Sequence, residues 1–344
     1  DLSGNYPIYG AAGYIGNVDF YHQINPYVAI VKDGAGIGRA MLCPAQSSII
    51  GTMQYLLPKK NILPRYLYYV VKYMHLEKYF TGATIPHIYF KDYKNEEFNL
   101  DLLERQAEIV EILEKCEKII EKRKQEIQLL DQLIKARFVE MFGNPVLNDK
   151  GWEQKSLGEI TTKIGSGATP KGGKEAYQEE GITLIRSMNV HNGQFEYKDL
   201  AHISDEQASK LDNVTIEEDD VLLNITGASV ARSCVVPNEI LPARVNQHVC
   251  IIRCKDCIIP EFLNKLLIDD NYQDLLWSIA GSGATRESIT KQQVENLQII
   301  LPMLELQKEF MAFCHQVTKS KVVVQKALDE TQLLFDSLMQ QYFG

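Results

Sequence analysis

The feature that most constrains this chain is that it says the same thing twice. TGATIPHI at residues 81–88 returns as SGATRESI at 282–289, an offset of 201 positions. Continued without gaps, residues 82–143 and 283–344 share 14 identical pairs out of 62. Among them are Asn95 with Asn296, Leu100 with Leu301, Leu103 with Leu304, Glu104 with Glu305, Gln106 with Gln307, Glu108 with Glu309, and Phe142-Gly143 with Phe343-Gly344. An ungapped register of this length means a duplicated structural unit, and a fold for the chain has to accommodate two copies of it.

Each copy ends in a long helix. From Asp101 to about Phe142 there is no Pro and no Gly, and Ile109, Leu113, Cys116, Ile120, Ile127, Leu130 and Ile134 recur in steps of four and three with a polar break near Arg123. This is the narrow apolar seam of a coiled coil, flanked by Glu and Lys. After Pro302 a similar stripe is expected through Phe310, Phe313, Val317, Val324, Ala327, Leu334 and Leu338, interrupted at Ser320. Two seams in one chain can bury each other. At ~1.5 Å per residue, ~35 residues make a helix on the order of 50 Å long.

The expected fold class is mixed α/β (α+β). Two globular domains, residues 1–100 and 144–301, alternate with helices over 101–143 and 302–344. The turn-rich stretch from Gly143-Asn144-Pro145 to Lys150-Gly151 links them. In the second globule Ile182–Ile185, Val221–Ile225 and His248–Arg253 are expected strands, and Ile259–Ile279 one helix or two short ones. The first repeats this order with strands at Tyr27–Val31 and Gln54–Leu57 and a helix at Leu63–Tyr79. Its opening lacks a counterpart: if Trp152 begins the second copy, the equivalent lies about fifty residues before Asp1. A truncated or rearranged first domain is therefore expected.

A length of 344 residues with 45% hydrophobic and 24% charged residues suits two ordinary globular domains. No apolar stretch approaches the ~18 residues of a membrane span and no leader-like start is seen, so a cytoplasmic location is the default expectation. Seven cysteines, at 43, 116, 234, 250, 254, 257 and 314, resemble no disulfide framework and fit a reducing compartment. The net charge of -9 argues mildly against bulk coating of nucleic acid, although a local basic face is compatible with an acidic total.

Several motifs have competing readings. Gly34-Ala35-Gly36-Ile37-Gly38 follows a strand-like run as a nucleotide loop would, yet matches neither a dinucleotide nor a Walker pattern. The second copy reads Thr226-Gly227-Ala228-Ser229-Val230-Ala231-Arg232 there and loses most of the glycines, so a hairpin loop with a retained arginine, Arg39 or Arg232, is preferred. His248, Cys250, Cys254 and Cys257 could in principle bind zinc, but structural sites take knuckles from separate loops, and buried strand cysteines are the favoured account; no metal is expected. Asn25-Pro26-Tyr27 resembles the Asn-Pro-Pro-aromatic pocket of adenine methyltransferases with a proline missing, and a plain turn before a strand is preferred. With no nucleophile elbow, H-E-x-x-H or kinase set, the chain is expected to catalyse nothing by itself.

What remains is polar loops suited to DNA. Gly165–Lys171 offers backbone amides, the hydroxyls of Ser166 and Thr169, and Lys171 for phosphate positioning. Arg186, Asn189, Arg232, Arg244, Asn246, Gln247 and His248 are types that read base edges, joined by Thr285 and Arg286 in the repeated turn. Lys32, Arg39, Gln54, His87 and Lys91 take the comparable places in the first copy. Taken singly, each of these is better explained as an ordinary surface residue; only their placement in paired globules gives them weight.

A globule opening with Trp152-Glu153-Gln154-Lys155-Ser156-Leu157-Gly158-Glu159-Ile160 and the Gly165–Pro170 loop, then Asn246-Gln247-His248-Val249, Gly283-Ala284-Thr285, Pro302, Gln307 and a long helix, resembles the DNA specificity (S) subunit of type I restriction-modification systems. The helix ending Phe138-Val139-Glu140-Met141-Phe142-Gly143-Asn144-Pro145 is similar to that family's central spacer. The resemblance covers essentially the whole chain. It implies two target recognition domains, each reading half of an interrupted double-stranded DNA site, and two antiparallel helices that fix the gap between halves. It also implies two methylation (M) subunits that carry S-adenosylmethionine and methylate adenine, and restriction/motor (R) subunits that use ATP-Mg, so no cofactor is expected in this chain and no membrane is involved. A ~50 Å helix exceeds the ~34 Å of one turn of B-DNA, which suits grooves a turn or more apart. The competing class is a coiled-coil protein-interaction scaffold without DNA recognition, which predicts no salt-dependent DNA affinity.

Overall fold

The computed structural model describes residues 3–80, 86–170, 172–281 and 287–344. The chain forms two compact units: unit 1 is Asp1–Ile127 with Val322–Gly344, and unit 2 is Gln128–Lys321. The division runs through both long helices rather than at their ends. The physical reason is that each helix uses its seam twice, on one set of partners along its first half and on another along its second.

In unit 1 the elements are β1 (Tyr6–Gly10), β2 (Gly13–Val18), β3 (Tyr27–Val31), β4 (Ala40–Cys43), β5 (Ser48–Ile49), β6 (Met53–Leu56), α1 (Pro64–Tyr73), the short α2 (Phe90–Tyr93) and the start of α3 (Leu103–Phe142). The strands form sheets of order β2-β1-β5 and β4-β3-β6. β3, YVAIV, is buried at every position, as a β-branched and aromatic run covered on both faces should be. The expected strands Tyr27–Val31 and Gln54–Leu57 appear as β3 and β6. The expected helix Leu63–Tyr79 breaks into α1 and a 3-10 turn at Leu76–Tyr79, because His75 adopts φ +50 between them.

Unit 2 follows with β7 (Gln154–Ser156), β8 (Thr161–Ser166), β9 (Ile182–Ile185), β10 (Val190–His191), β11 (Gln194–Phe195), β12 (Ala201–Ile203), α4 (Asp205–Ser209), β13 (Val221–Asn224), β14 (Ser233–Val235), β15 (Ala243–Val245), β16 (Val249–Cys254), α5 (Pro260–Leu267), α6 (Asp270–Gly281), α7 (Lys291–Glu295), β17 (Gln298–Ile300) and α8 (Leu304–Phe343), whose second half belongs to unit 1. One sheet runs β14-β13-β16-β8 and another β12-β9-β15, with β17 paired to β7. Side-chain alternation feeds two cores from the first sheet. Val221, Leu223, Cys250 and Ile252 pack with the Phe262 and Leu266 face of α5, while Leu222, Val249 and Ile251 pack against Leu184, Ile185 and Val245. That double burial is why Val221–Leu223 and Val249–Ile252 are apolar without interruption.

The long helices carry the expected seam in α3. Ile109, Leu113, Cys116 and Ile120 are buried against α1 together with Leu328, Phe335 and Met339 of α8. Along α8 the seam differs from the expected stripe: Phe310, Cys314, Val317, Leu328, Thr331 and Phe335 are buried, whereas Leu334 is exposed. Against the expected stripe the buried positions fall one residue later, at Cys314, Leu328 and Phe335, in a steady four-three step, and Arg123 of α3 hydrogen-bonds the Ala327 carbonyl and the Thr331 hydroxyl, which seats the polar Thr331 in the interface. In unit 2, Asp131 pairs with Lys321 at 2.7 Å and Arg137 with Glu309 at 2.9 Å alongside the Phe138–Phe310 contact.

One repeated glutamine ties each helix to its globule. Leu63 and Ile259 precede the prolines that open α1 and α5, and neither has a side chain able to cap. The fully buried Gln106 accepts the Leu63 N–H at 2.8 Å and donates to the Asn61 and Asp101 carbonyls. Gln307 does the same for Ile259 at 2.9 Å, donating to the Cys257 and Pro302 carbonyls. Buried polar groups have to be satisfied, and one amide satisfies three.

Candidate nucleic-acid interface

Strand direction gathers the polar residues at one end of the unit 2 sheets. β8, β9, β13 and β15 all finish there, at Ser166, Ile185, Asn224 and Val245, and β16, antiparallel to β8 and β13, begins there at Val249. The loops leaving these strands hold an unbroken polar line. Thr169 Oγ1 bonds Gln247 Oε1, Gln247 Nε2 lies 3.1 Å from His248 Nε2, and His248 Nδ1 lies 2.5 Å from Thr226 Oγ1. Beside them a cavity of about 340 Å³ is lined by Ser187, Met188, Thr226, Gly227, Ala228, Ser229, Arg232 and His248. Arg232 Nη1 stands 3.5 Å from His191 Nδ1. The surface is therefore rich in hydroxyls, an amide, an imidazole and a guanidinium, the groups that contact phosphates and base edges.

The hairpin between β13 and β14 repeats, bond for bond, the one between β3 and β4. In unit 1 Gly38 N–H donates to Val31 O, Arg39 N–H to Gly36 O, and Val31 N–H to Arg39 O, at 2.8, 3.2 and 3.0 Å. The equivalents in unit 2 are Ala231 to Asn224, Arg232 to Ser229 and Asn224 to Arg232, at 2.8, 3.3 and 2.8 Å. Gly34 N–H donates to Pro86 O at 2.9 Å and Gly227 N–H to Glu287 O at 3.0 Å. Gly34 and Gly227 share a left-handed backbone, with φ of +83 and +72, which accounts for the one glycine both copies keep. The loop joins antiparallel strands and leads into no helix, so the hairpin reading of Gly34–Gly38 is the observed one.

The candidate residues sort by what their side chains do. Ser166, Thr169 and Gln247 are exposed and Arg232 lines the cavity at the strand ends just described. Arg186 is nearby, its guanidinium 5.4 Å above the Tyr177 ring and bonded to the Asp199 carbonyl. In unit 1, Arg39 is exposed and bonds the Ala11 carbonyl, Lys32 is half-buried beside the hairpin, His87 pairs with Asp33, and Lys91 lies 5.1 Å over the Tyr89 ring.

Three candidates turn inward, and a fourth is held within its strand. Asn189 is fully buried, its amide divided among the Arg186 N–H and the Glu196 and Lys198 carbonyls. Asn246 accepts the His248 N–H at 2.9 Å and shapes the turn into β16. Arg244 is held by Asp212 at 2.8 Å and by the Ala208 carbonyl, facing α4. Gln54 stays half-exposed in β6 opposite Ile30, its amide donating to the Tyr55 carbonyl at 3.1 Å. In each case the residue type was legible and its direction was not, because strand phase and turn hydrogen bonds decide which way a polar side chain points. Lys171, Thr285 and Arg286, and with them the Gly283-Ala284-Thr285 turn, lie outside the described residues.

Two further constellations resolve. Burial in β16 pushes the Cys250 thiol up to about 12, and His248 is engaged with Thr226; among the described residues no group of three or more His, Cys, Asp or Glu side chains could hold a metal ion. All seven cysteines are free. Tyr27, after Asn25-Pro26, is fully buried and receives the Ser47 hydroxyl's hydrogen bond at 3.0 Å, so its ring is unavailable to stack on an extruded base and the stretch does not fit a methyl-transfer pocket. No helix among the described residues is long and apolar enough to cross a membrane. Sequence reasoning missed Asp33 and Thr226, which face imidazoles at matching places in the two hairpins; aligning the hairpins on Gly34 and Gly227 would have found them.

Comparison with known proteins decides the family. The family described as "Type I restriction modification DNA specificity domain" matches residues 1–130 and again 149–330. The chain belongs to the type I restriction-modification DNA specificity family. Its double match coincides with the internal repeat. A curated member, the type I restriction enzyme MjaIX specificity subunit of Methanocaldococcus jannaschii, is 24% identical over 307 residues, 83% of this chain and 69% of that protein. The crystal structure of a type I restriction-modification S subunit from M. genitalium superposes with a TM-score of 0.60 at 16% identity, covering 100% of this chain and 90% of that one. A chain from a study of complex assembly and conformational transition of a type I restriction-modification system gives 0.62 at 16% identity, covering 98% and 90%. This specificity chain thus shares the S-subunit fold.

Proposed function

We infer that each unit of this specificity chain reads one half of an interrupted double-stranded DNA target through the loops at its hairpin end. The carrying observation is the bond-for-bond repetition of the Gly34–Arg39 and Gly227–Arg232 hairpins at the same strand ends, each presenting an arginine and an oxygen–imidazole pair. Arg39, Lys32 and Lys91 in one unit, and Arg232, Ser166, Thr169 and Gln247 in the other, supply phosphate and base contacts. Lys171, Thr285 and Arg286 are assigned to the same loops by sequence.

The chain itself performs no catalysis in this account. Two methylation subunits hold S-adenosylmethionine and modify adenine, restriction subunits use ATP-Mg, and this chain supplies the address while its helices give the methylation subunits a seat. A scaffold that ignores DNA would not need paired polar hairpins, and the family match does not favour it.

The test is DNA affinity of the chain assembled with its methylation subunits, measured from about 50 to 200 mM salt. Specific binding should weaken steeply, with a log–log slope near -0.9 per phosphate contacted. Affinity that is undetectable, or indifferent to salt, would remove the DNA reading.

A further inference from the structure

The repeated hairpin also fixes where one particular side chain is delivered. The residue just before the left-handed glycine is Asp33 in unit 1 and Thr226 in unit 2. Each forms an isolated bridge with the returning chain, Asp33 with His87 and Thr226 with Ser288. The flanking hydrogen bonds agree as well: Ile88 N–H donates to Lys32 O and Ile289 N–H to Ile225 O, at 3.0 and 2.8 Å. Backbone position is therefore common to the two, and only the side-chain chemistry differs.

Each side chain meets an imidazole, but the imidazole comes from a different place. Asp33 Oδ1 bonds His87, its bridge partner. Thr226 Oγ1 bonds His248, from the turn before β16. The residue matching His248 in unit 1 is Thr52, since Lys32 N–H donates to Thr52 O just as Ile225 N–H donates to His248 O. Both units thus arrive at an oxygen held against a ring nitrogen, with a carboxylate in one and a hydroxyl in the other. The Asp33 and His87 side chains keep 29% and 26% of their surface open, and Thr226 with His248 lines the 340 Å³ cavity, so both pairs are reachable from solvent.

We propose that residues 33 and 226 are the specificity-determining positions of the two DNA half-sites, with Asp33 selecting cytosine in its half and Thr226 making the hydroxyl or methyl contact in the other. This rests on the DNA reading above. A carboxylate only accepts hydrogen bonds and can serve two donors at once, so it can hold the imidazole and still take the cytosine N4 amino group in the major groove. A threonine hydroxyl both donates and accepts, and its methyl tolerates a thymine methyl, which gives a different and looser preference.

The experiment maps adenine methylation by long-read sequencing in cells that carry the methylation subunits with the unmodified chain, Asp33→Asn, Asp33→Thr or Thr226→Asp. Asn matches Asp in shape and removes the charge, so it preserves the fold while inviting adenine. The expected result is a change of about tenfold in preference at one base of one half-site for each variant, with the other half unchanged. The Asp33 variants should alter the opposite half from Thr226→Asp. An unaltered motif at normal methylation, or a uniform loss at all sites in Asp33→Asn with neither half changed, would overturn the proposal. A motif missing even with the unmodified chain would instead remove the DNA reading on which it stands.

Discussion

The two units build the same sheet and finish it differently. β16 of unit 2 is paired on both sides, by β13 and by β8, and Val249 to Ile252 are shut away from solvent. Its counterpart β6 pairs, among the described residues, with β3 alone, and Gln54, Tyr55 and Leu56 stay half-exposed. The lesson is that the hairpin end and the helix clamp are specified locally in each unit, whereas burial of the strand beside them depends on its neighbour. Loop geometry survives the difference, and packing depth does not.

The largest expected consequence lies in the repeated phenylalanines. Phe142 is fully buried among Phe138, Phe262, Phe310 and Trp152, with ring centroids 5.0–6.2 Å away, while Phe343 is half-buried against Tyr66 and Tyr73. Phe142→Ala should cost about 3–5 kcal/mol and Phe343→Ala about 1–2 kcal/mol. Both tryptophans, Trp152 and Trp277, are in unit 2, so in urea unfolding tryptophan emission follows that unit, while far-ultraviolet circular dichroism adds the transition of unit 1. Equal losses for the two substitutions would break the comparison.

The glutamine clamp should behave in the opposite way. Gln106→Leu and Gln307→Leu each strand a buried N–H and two carbonyls, and each should destabilise its unit by about 2–4 kcal/mol. Values more than about 1.5 kcal/mol apart would mean that the clamp is not equivalent in the two units. A finer probe is amide exchange. The amides of β6 should exchange at least about tenfold faster than those of β16, and matching protection would show that the edge of β6 is covered in solution. Smallest of all, Arg39→Ala and Arg232→Ala should each reduce the salt slope of DNA binding by about one while leaving stability within ~0.5 kcal/mol.

Much of this fold was legible in the sequence. The run YVAIV and the apolar stretch at 249–252 mark β3 and β16, and the Pro-free, Gly-free seam from Ile109 to Ile120 marks α3. The frame of α8 was legible as well, by a route the heptad reading bypassed. Adding 201 to Leu113, Cys116, Ile127, Leu130 and Ile134 gives Cys314, Val317, Leu328, Thr331 and Phe335, all buried. The stripe followed apolarity instead, and chose exposed Leu334 over buried Thr331. The interface was only half legible. Thr169 and Gln247 stand exposed in the loops, as the proposed interface requires, but Asn189 and Asn246 are spent on local turns, and Arg244 is drawn away by Asp212. Those outcomes depend on contacts distant in sequence, which composition and period do not carry.

The most direct test of the central claim, that two structurally repeated units each read half of one target, is long-read methylation mapping of DNA from cells expressing this chain with its methylation subunit, against cells lacking the chain. The expected result is a new modified-adenine motif made of two short specified halves separated by a fixed unspecified gap. A motif with a single specified block, or none despite a stable complex, would contradict it.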